Sequence, residues 1–386
     1  MIVARLLGAA VLAAAAGEAV PAWASTGWSA VSPPSGGATL AGGLYGVVAL
    51  SSTDAWSVGA DHNAHGQYVP AVSHWNGRSW ASQTRVGSGL GLFRDVAADR
   101  ADDVWAVGLN GYAHRPVVAR FDGRRWRPAA TAGLPTHAQL YGVTVLGRTN
   151  VWAVGLAGDQ ALAAHWTGSR WALSYPPAPD AVSAEVPNPF ELLSVTRVPG
   201  GADLLAVGWI VTADFQSHPY ATLWDGHTWQ AQSLPAGSAA PFQLTRVLAL
   251  SGHDAWALGS TTVPVSGGSS SEPAMLHWDG QQWTDVPVPY HVGQLNTLYG
   301  IAAAGSANIW AAGFSTKLPC STNPCSNDKV LVEHYDGTHW SISSARSPSG
   351  TAQLMSLAHI PKANRFWGVG ARGNYPGDTP LIERSG

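Results

Sequence analysis

Asp103-Val104-Trp105-Ala106-Val107-Gly108 is one copy of a phrase that recurs seven times and decides the fold. The other copies are Asp54-Ala55-Trp56-Ser57-Val58-Gly59, Asn150-Val151-Trp152-Ala153-Val154-Gly155, Asp254-Ala255-Trp256-Ala257-Leu258-Gly259 and Asn308-Ile309-Trp310-Ala311-Ala312-Gly313. Two more depart from the pattern: Asp203-Leu204-Leu205-Ala206-Val207-Gly208 replaces the Trp, and Asn364-Arg365-Phe366-Trp367-Gly368-Val369-Gly370 carries an extra residue. The central positions 56, 105, 152, 205, 256, 310 and 367 are spaced 47 to 57 residues apart. A period near fifty residues points to a β-propeller or a related array. The phrase is apolar on both faces of an extended chain, as a strand sandwiched between neighbouring sheets must be.

A second marker follows the first six phrases. It reads Asn76-Gly77-Arg78-Ser79-Trp80 in the first unit and Asp122-Gly123-Arg124-Arg125-Trp126 in the second, and it recurs ending at Trp171, Trp229, Trp283 and Trp340. Asn-Gly and Asp-Gly favour the positive φ values of a type I′ hairpin turn. Upstream of the phrase lies a short apolar segment, as in Leu44-Tyr45-Gly46-Val47, Leu140-Tyr141-Gly142-Val143 and Leu298-Tyr299-Gly300-Ile301. Each unit therefore holds four strands, the content of one propeller blade. The seventh unit stops at Leu381-Ile382-Glu383-Arg384-Ser385-Gly386, without a fourth strand, while Gly27-Trp28-Ser29-Ala30-Val31 is a fourth strand without a unit. The expectation is an all-β, seven-bladed propeller of four-stranded antiparallel blades over residues 25–386, its last blade closed by the N-terminal strand. Pairing the two ends removes exposed sheet edges.

This architecture accounts for most of the 19 tryptophans as packing between blades. The Asp or Asn two places before each repeat Trp reads as a turn-former bonding the backbone between the first two strands. His74, His165, His277 and His334 share one repeat position and read as packing residues too.

The paired phrases resemble tandem repeats of exported bacterial propellers, akin to the kelch and galactose-oxidase central-domain group. The resemblance covers residues 27–386 and speaks to architecture. The adjacent Gly-Gly of kelch units is absent from the second-strand phrase. Both cysteines lie in one six-residue loop, so the copper-radical chemistry of galactose oxidase is not carried over. The chain is expected to work without a cofactor or metal.

Formal net charge is -3 and 12% of residues are charged, with no basic run. A nucleic-acid partner is not expected. Residues 1–24 read as a signal peptide: Arg5, an apolar stretch Leu6–Ala16 too short to span a bilayer, and Ala22-Trp23-Ala24 as a cleavage site. No later segment is apolar enough to span, so a secreted, extracellular monomer is expected. In that setting Cys320 and Cys325 are expected to form a local disulfide.

In a four-stranded blade the second-to-third loops and the blade-to-blade links share one face, where recognition residues are sought. Candidates there are Asp61, His62 and His65, then Tyr112, His114 and Arg115, then Asp214 and His218. The Ser/Gly-rich segment Ser266–Ser271 reads as another loop. The longest link, Tyr175 to Glu191, adds Asp180, Glu185, Asn188 and Glu191. Asp61, His62 and His65 hold metal-donor atoms, but two imidazoles three residues apart in a loop do not specify a site. Nucleophile-elbow, His-Glu-x-x-His and phosphate-loop motifs are absent. The reading is a non-catalytic binding or scaffold propeller that recognises a carbohydrate or protein ligand on its long-loop face. A carbohydrate-active hydrolase or lyase is the alternative, and a multivalent lectin, which needs repeating loops, comes third.

Overall fold

The computed structural model describes residues 27–32, 42–83, 86, 89–111, 113–179, 182–183, 185–235, 242–265, 268–318, 327–345, 350–373 and 378–386. The strands form seven separate four-stranded antiparallel sheets. Six sheets are consecutive in sequence. The seventh takes its first three strands from the C-terminal unit and its outer strand from Trp28–Ala30. Trp28 pairs with Ser385, Ser29 with Arg384 and Ala30 with Glu383, so the expected closure is present.

The tryptophans explain why the sheets stack into a ring. Each outer-strand indole meets, edge-on, the second-strand indole of the preceding blade. Trp126 packs on Trp56 at 5.5 Å, Trp171 on Trp105 at 6.1 Å and Trp229 on Trp152 at 5.9 Å. Trp340 meets Trp256 at 5.7 Å, Trp28 meets Trp310 at 5.6 Å and Trp80 meets Trp367 at 5.2 Å. Where the phrase carries Leu205, Trp283 shares a core cluster with that leucine instead. The same stagger makes every core cluster span two blades, and edge-to-face pairs add about 0.5–1.5 kcal/mol each beyond area burial.

The motif Asp or Asn has a different job from the one expected. It opens the second strand, so its side chain shares a face with the Trp two residues on. Asp254 Oδ1 accepts the Trp256 indole N–H at 2.9 Å and lies 3.0 Å from His277 Nε2. Asn150 does the same for Trp152 and His165, and Asn308 for Trp310 and His334. The imidazole in turn stacks on the indole, at 4.4 Å and 9° for Trp152 and His165. Blade two substitutes Arg120, which donates to the buried Asp103 and lies over Trp105. The residue is thus a side-chain bridge within the blade, not a backbone turn-former.

Two further expectations are corrected. The Asn/Asp-Gly hairpins have positive φ at the glycine alone, as at Gly77 (+90°) and Gly280 (+98°). That is the signature of a type II′ turn. The Asn or Asp sits one place earlier, and Asn76 Oδ1 accepts the N–H groups of Arg78 and Ser79. Residues 268–271, read as loop, are strand: Asp254–Val265 and Gly268–Trp278 pair along their whole length. Cys320, Cys325, Tyr112, Asp180 and residues 1–24 lie outside the described residues. No described helix is long and apolar enough to cross a membrane.

The glycine that ends the motif shapes the axis. It pairs with an inner-strand residue whose neighbour is a β-bulge: Leu44 pairs with Gly59, Gly46 with Val58, and Tyr45 is left over. All seven inner strands carry this bulge. A Cβ on the motif glycine would lie 1.7–2.1 Å from the inner-strand carbonyl oxygen in every blade, so only glycine admits this backbone approach. Bulges re-aim a side chain, and here they aim it at the axis.

Candidate functional site

The seven bulged residues are Tyr45, Arg94, Tyr141, Leu193, Thr245, Tyr299 and Met355, one from each blade. All seven line one axial cavity of about 310 Å³, joined by Glu191 and Arg246. The bulge lies near the start of each inner strand, so this bowl belongs to the face of the links and second-to-third loops. A second axial cavity of about 350 Å³ lies further along the same strands. Arg246 lines both, and its Nη1 is 3.3 Å from Asp95 Oδ1. Asp95 also accepts the Val143 N–H at 3.0 Å, linking blades two, three and five across the waist of the channel. Burial pushes the Asp95 carboxyl up, against the pull of Arg246 and the Val143 and Val96 amides.

The bowl has an unusual charge balance. Arg94 lies 5.5 Å from the centroid of the Tyr45 ring. Its Nε is buried without a hydrogen-bond partner, and the guanidinium forms no ion pair with a described residue. Its charge opposes the upward shifts of Tyr45, Tyr141, Tyr299 and Glu191, so it sits within electrostatic reach of all four. Glu191 is half-buried in the inner strand Phe190–Arg197. Desolvation raises its carboxyl to about 7, against the opposing influence of the polar groups of Tyr141 and Trp209 and the field of Arg94. Burial likewise raises the phenols of Tyr45, Tyr141 and Tyr299. The result is a cation in a cavity lined by three phenols and a threonine, with one lining carboxyl near neutrality. Leu193 and Met355 supply an apolar wall.

The loop candidates remain on separate connections. Asp61 accepts the His62 N–H at 2.7 Å, and His65 is exposed, its N–H bonded to Asn63. His114 is exposed at a φ of +45°, and Arg115 opens the next strand. Asp214 and His218 approach each other at 3.9 Å on the connection that also exposes Phe215 at a φ of +60°. Glu185 is exposed on its link. Among the described residues no three His, Cys, Asp or Glu side chains group as a metal site. Of the residues singled out from sequence, Glu191 reaches the bowl. The bulge ring was missed because a bulge is a mismatch between two strands, and the inner strand alone does not display it. The signal was the recurring Leu-Tyr-Gly, at positions 44–46, 140–142 and 298–300.

No protein-family model matches the chain, and no curated protein matches it. Solved structures do. YCF48 bound to D1 peptide is similar with a TM-score of 0.57 and 15% identity, over 95% of this chain and 99% of that one. A GH74 xyloglucanase from Xanthomonas campestris gives 0.55 and 15%, over 92% of this chain and 55% of that one. A PL25 ulvan lyase bound to a glucuronate-rhamnose-sulfate ligand gives 0.52 and 10%, over 94% of each chain. At these identities the likeness establishes the propeller fold and nothing finer.

Proposed function

We propose that this chain is a ligand-binding propeller that takes a carbohydrate or protein ligand in the axial bowl of its long-loop face without transforming it. The observation that carries the reading is the convergence of all seven bulged residues on one cavity. A bulge in every blade is conformationally costly to specify, and it turns seven backbones into one lining. The fold neighbours include a peptide binder and two enzymes acting on polysaccharides, so both ligand classes suit the architecture. Glycoside cleavage by paired carboxyls needs an acid and a base or nucleophile flanking one bond. Glu191 is the one carboxyl among the described residues lining the bowl, which favours binding over hydrolysis. A second reading, a carbohydrate-active hydrolase or lyase, draws on Glu191 as well, because a carboxyl held near 7 suits general acid–base work.

The test is a screen of glycans and peptides on the mature protein, with product release assayed in parallel. Saturable binding that Tyr141→Phe weakens, without turnover, supports the reading. Release of products overturns it in favour of the second. We further propose, on the Arg5 and Leu6–Ala16 pattern and the kelch-like phrases, that the protein is exported with residues 1–24 removed. An N-terminus at Met1 on the extracellular protein would reject that cleavage.

A further inference from the structure

We propose that the bowl recognises an acidic sugar, seating the carboxylate of a hexuronate unit on Arg94. The inference rests on the axial bowl being the ligand site and names what that site selects. Arg94 is a fixed positive charge with no ion pair among the described residues, whereas the other axial arginine, Arg246, is matched to Asp95. Arg94 lines the bowl, and a guanidinium fork can meet a planar anion through two parallel bonds. Glu191, the one described carboxyl that lines the bowl, is held up to about 7 and so is partly protonated at neutral pH, while Asp95 is matched to Arg246 and the fields of Asp378 and Asp328 reach the rim at Tyr45 and Tyr299.

The remaining wall distinguishes a sugar acid from a peptide terminus. Tyr45, Tyr141, Tyr299 and Thr245 line the bowl with Arg94: Tyr141 donates to Gln139 and Thr245 to the Leu258 carbonyl, so these two offer a ligand acceptor oxygens, while the phenols of Tyr45 and Tyr299 are of a type that both donates and accepts. Sugar hydroxyls have the same dual character, and phenol rings offer flat faces to the C–H side of a pyranose. A peptide end would present one carboxylate and an apolar or charged side chain, and would leave most of these hydroxyls unmatched. A cavity of about 310 Å³ falls at the lower end of small-ligand sites, suited to the end of a chain and not to its interior.

Protonated Glu191 completes the arrangement by donating to the bound carboxylate or to a ring hydroxyl. The groups that face Glu191 are Tyr141, whose hydroxyl donates to Gln139, Trp209, and Arg94, whose field reaches it. Tyr45, Tyr299 and the Arg246–Asp95 pair stand further round the same ring. Binding a uronate therefore draws a proton onto Glu191, and affinity falls as pH rises through 7.

Isothermal titration of the full mature chain provides the test. The probes are trigalacturonate, the same trimer with its carboxyls reduced to primary alcohols, and an acetylated tripeptide with a free C-terminus. The trigalacturonate is expected to bind at least about tenfold tighter than either of the others, as loss of a charge-assisted bidentate contact implies. Arg94→Gln should erase that preference. Between pH 6 and pH 8 the wild-type affinity should fall about tenfold, as one linked proton near 7 requires, while Glu191→Gln should show no such fall. The pH series does not depend on whether Arg94→Gln folds. Equal affinity for the acidic and reduced trimers, a preference that survives Arg94→Gln, or a flat wild-type pH series overturns the proposal. Binding of the reduced trimer alone would overturn it while keeping a sugar site in the bowl. Binding of the peptide alone would overturn it and make the bowl a carboxyl-terminus reader. Failure of all three probes together with the wider screen would bring down the axial bowl as a ligand site as well.

Discussion

Truncating Trp28 to alanine tests the closure of the ring. The indole is fully buried in a cluster with Trp310, Leu354, Phe366 and Leu381, and its ring meets Trp310 at 5.6 Å and 68°. Removing a buried tryptophan costs about 3–5 kcal/mol. For a propeller of about 350 residues, unfolding entropy near 2.1 cal/mol/K per residue gives roughly 0.75 kcal/mol/K, so the melting temperature should fall by about 4–7 °C. Calorimetry on Trp28→Ala, on Trp310→Ala and on the double variant separates the ring pair from the area each buries. Trp283→Ala is the internal control, since that indole faces Leu205 and lacks an edge partner in the neighbouring blade. It should melt about 1–2 °C higher than Trp28→Ala, the worth of one edge-to-face pair. A Trp28→Ala melting point within about 1 °C of the parent would show that the N-terminal strand does not fasten the last blade.

Other perturbations reach the remaining parts of the argument. Gly155→Ala places a Cβ 1.8 Å from the Gln139 carbonyl oxygen, so it should be far more destabilising in a thermal melt than Gly158→Ala, which meets nothing within 4 Å and costs about 1–2 kcal/mol for its φ of +61°. Asp254→Ala strands the Trp256 indole N–H and should cost about 1–3 kcal/mol by denaturant titration, whereas Asp254→Asn should be nearly neutral because Asn150 and Asn308 already do the same work. An equal loss for both substitutions would refute the bridge. Glu333 and Glu383 are fully buried with no hydrogen bond to any carboxyl oxygen, and desolvation raises them to about 8 and about 7. Their folded values lie above the unfolded one, so the stability they confer is complete below about pH 4.5 and is lost as pH climbs through 7 and 8. The double variant Glu333→Gln, Glu383→Gln should therefore melt above the parent at pH 9 and close to it at pH 4.5. Parallel melting curves across that range would contradict the assignment.

The strands and their count were legible because each rests on a local pattern, the Trp phrase repeated seven times and the turn marker six. The Trp phrase needs both faces buried, the Asn/Asp-Gly marker needs a tight turn, and the orphan strand at Trp28 needs the unit lacking one. The motif Asp was misread for a related reason: sequence shows that Asp254 precedes Trp256 by two places, but not that His277 lies across the sheet within reach of the same oxygen. The hairpin type was one position out of register, since a dipeptide preference does not say which residue occupies the first central position. The loop candidates share a face by topology, but sharing a face does not bring side chains from separate connections together.

By itself, then, the sequence determined the repeat, the blade and the way the ends meet, since these follow from short-range periodicity and from the need to cover sheet edges. The tertiary structure decided where chemistry gathers. Tyr45, Arg94, Tyr141 and Tyr299 are some 50 to 250 residues apart in the chain, and they meet because seven bulges, each held open by a glycine on the neighbouring strand, turn toward one axis. Glu191 acquires its value near 7 there from desolvation, a property of the surrounding blades and not of the residues beside it in sequence.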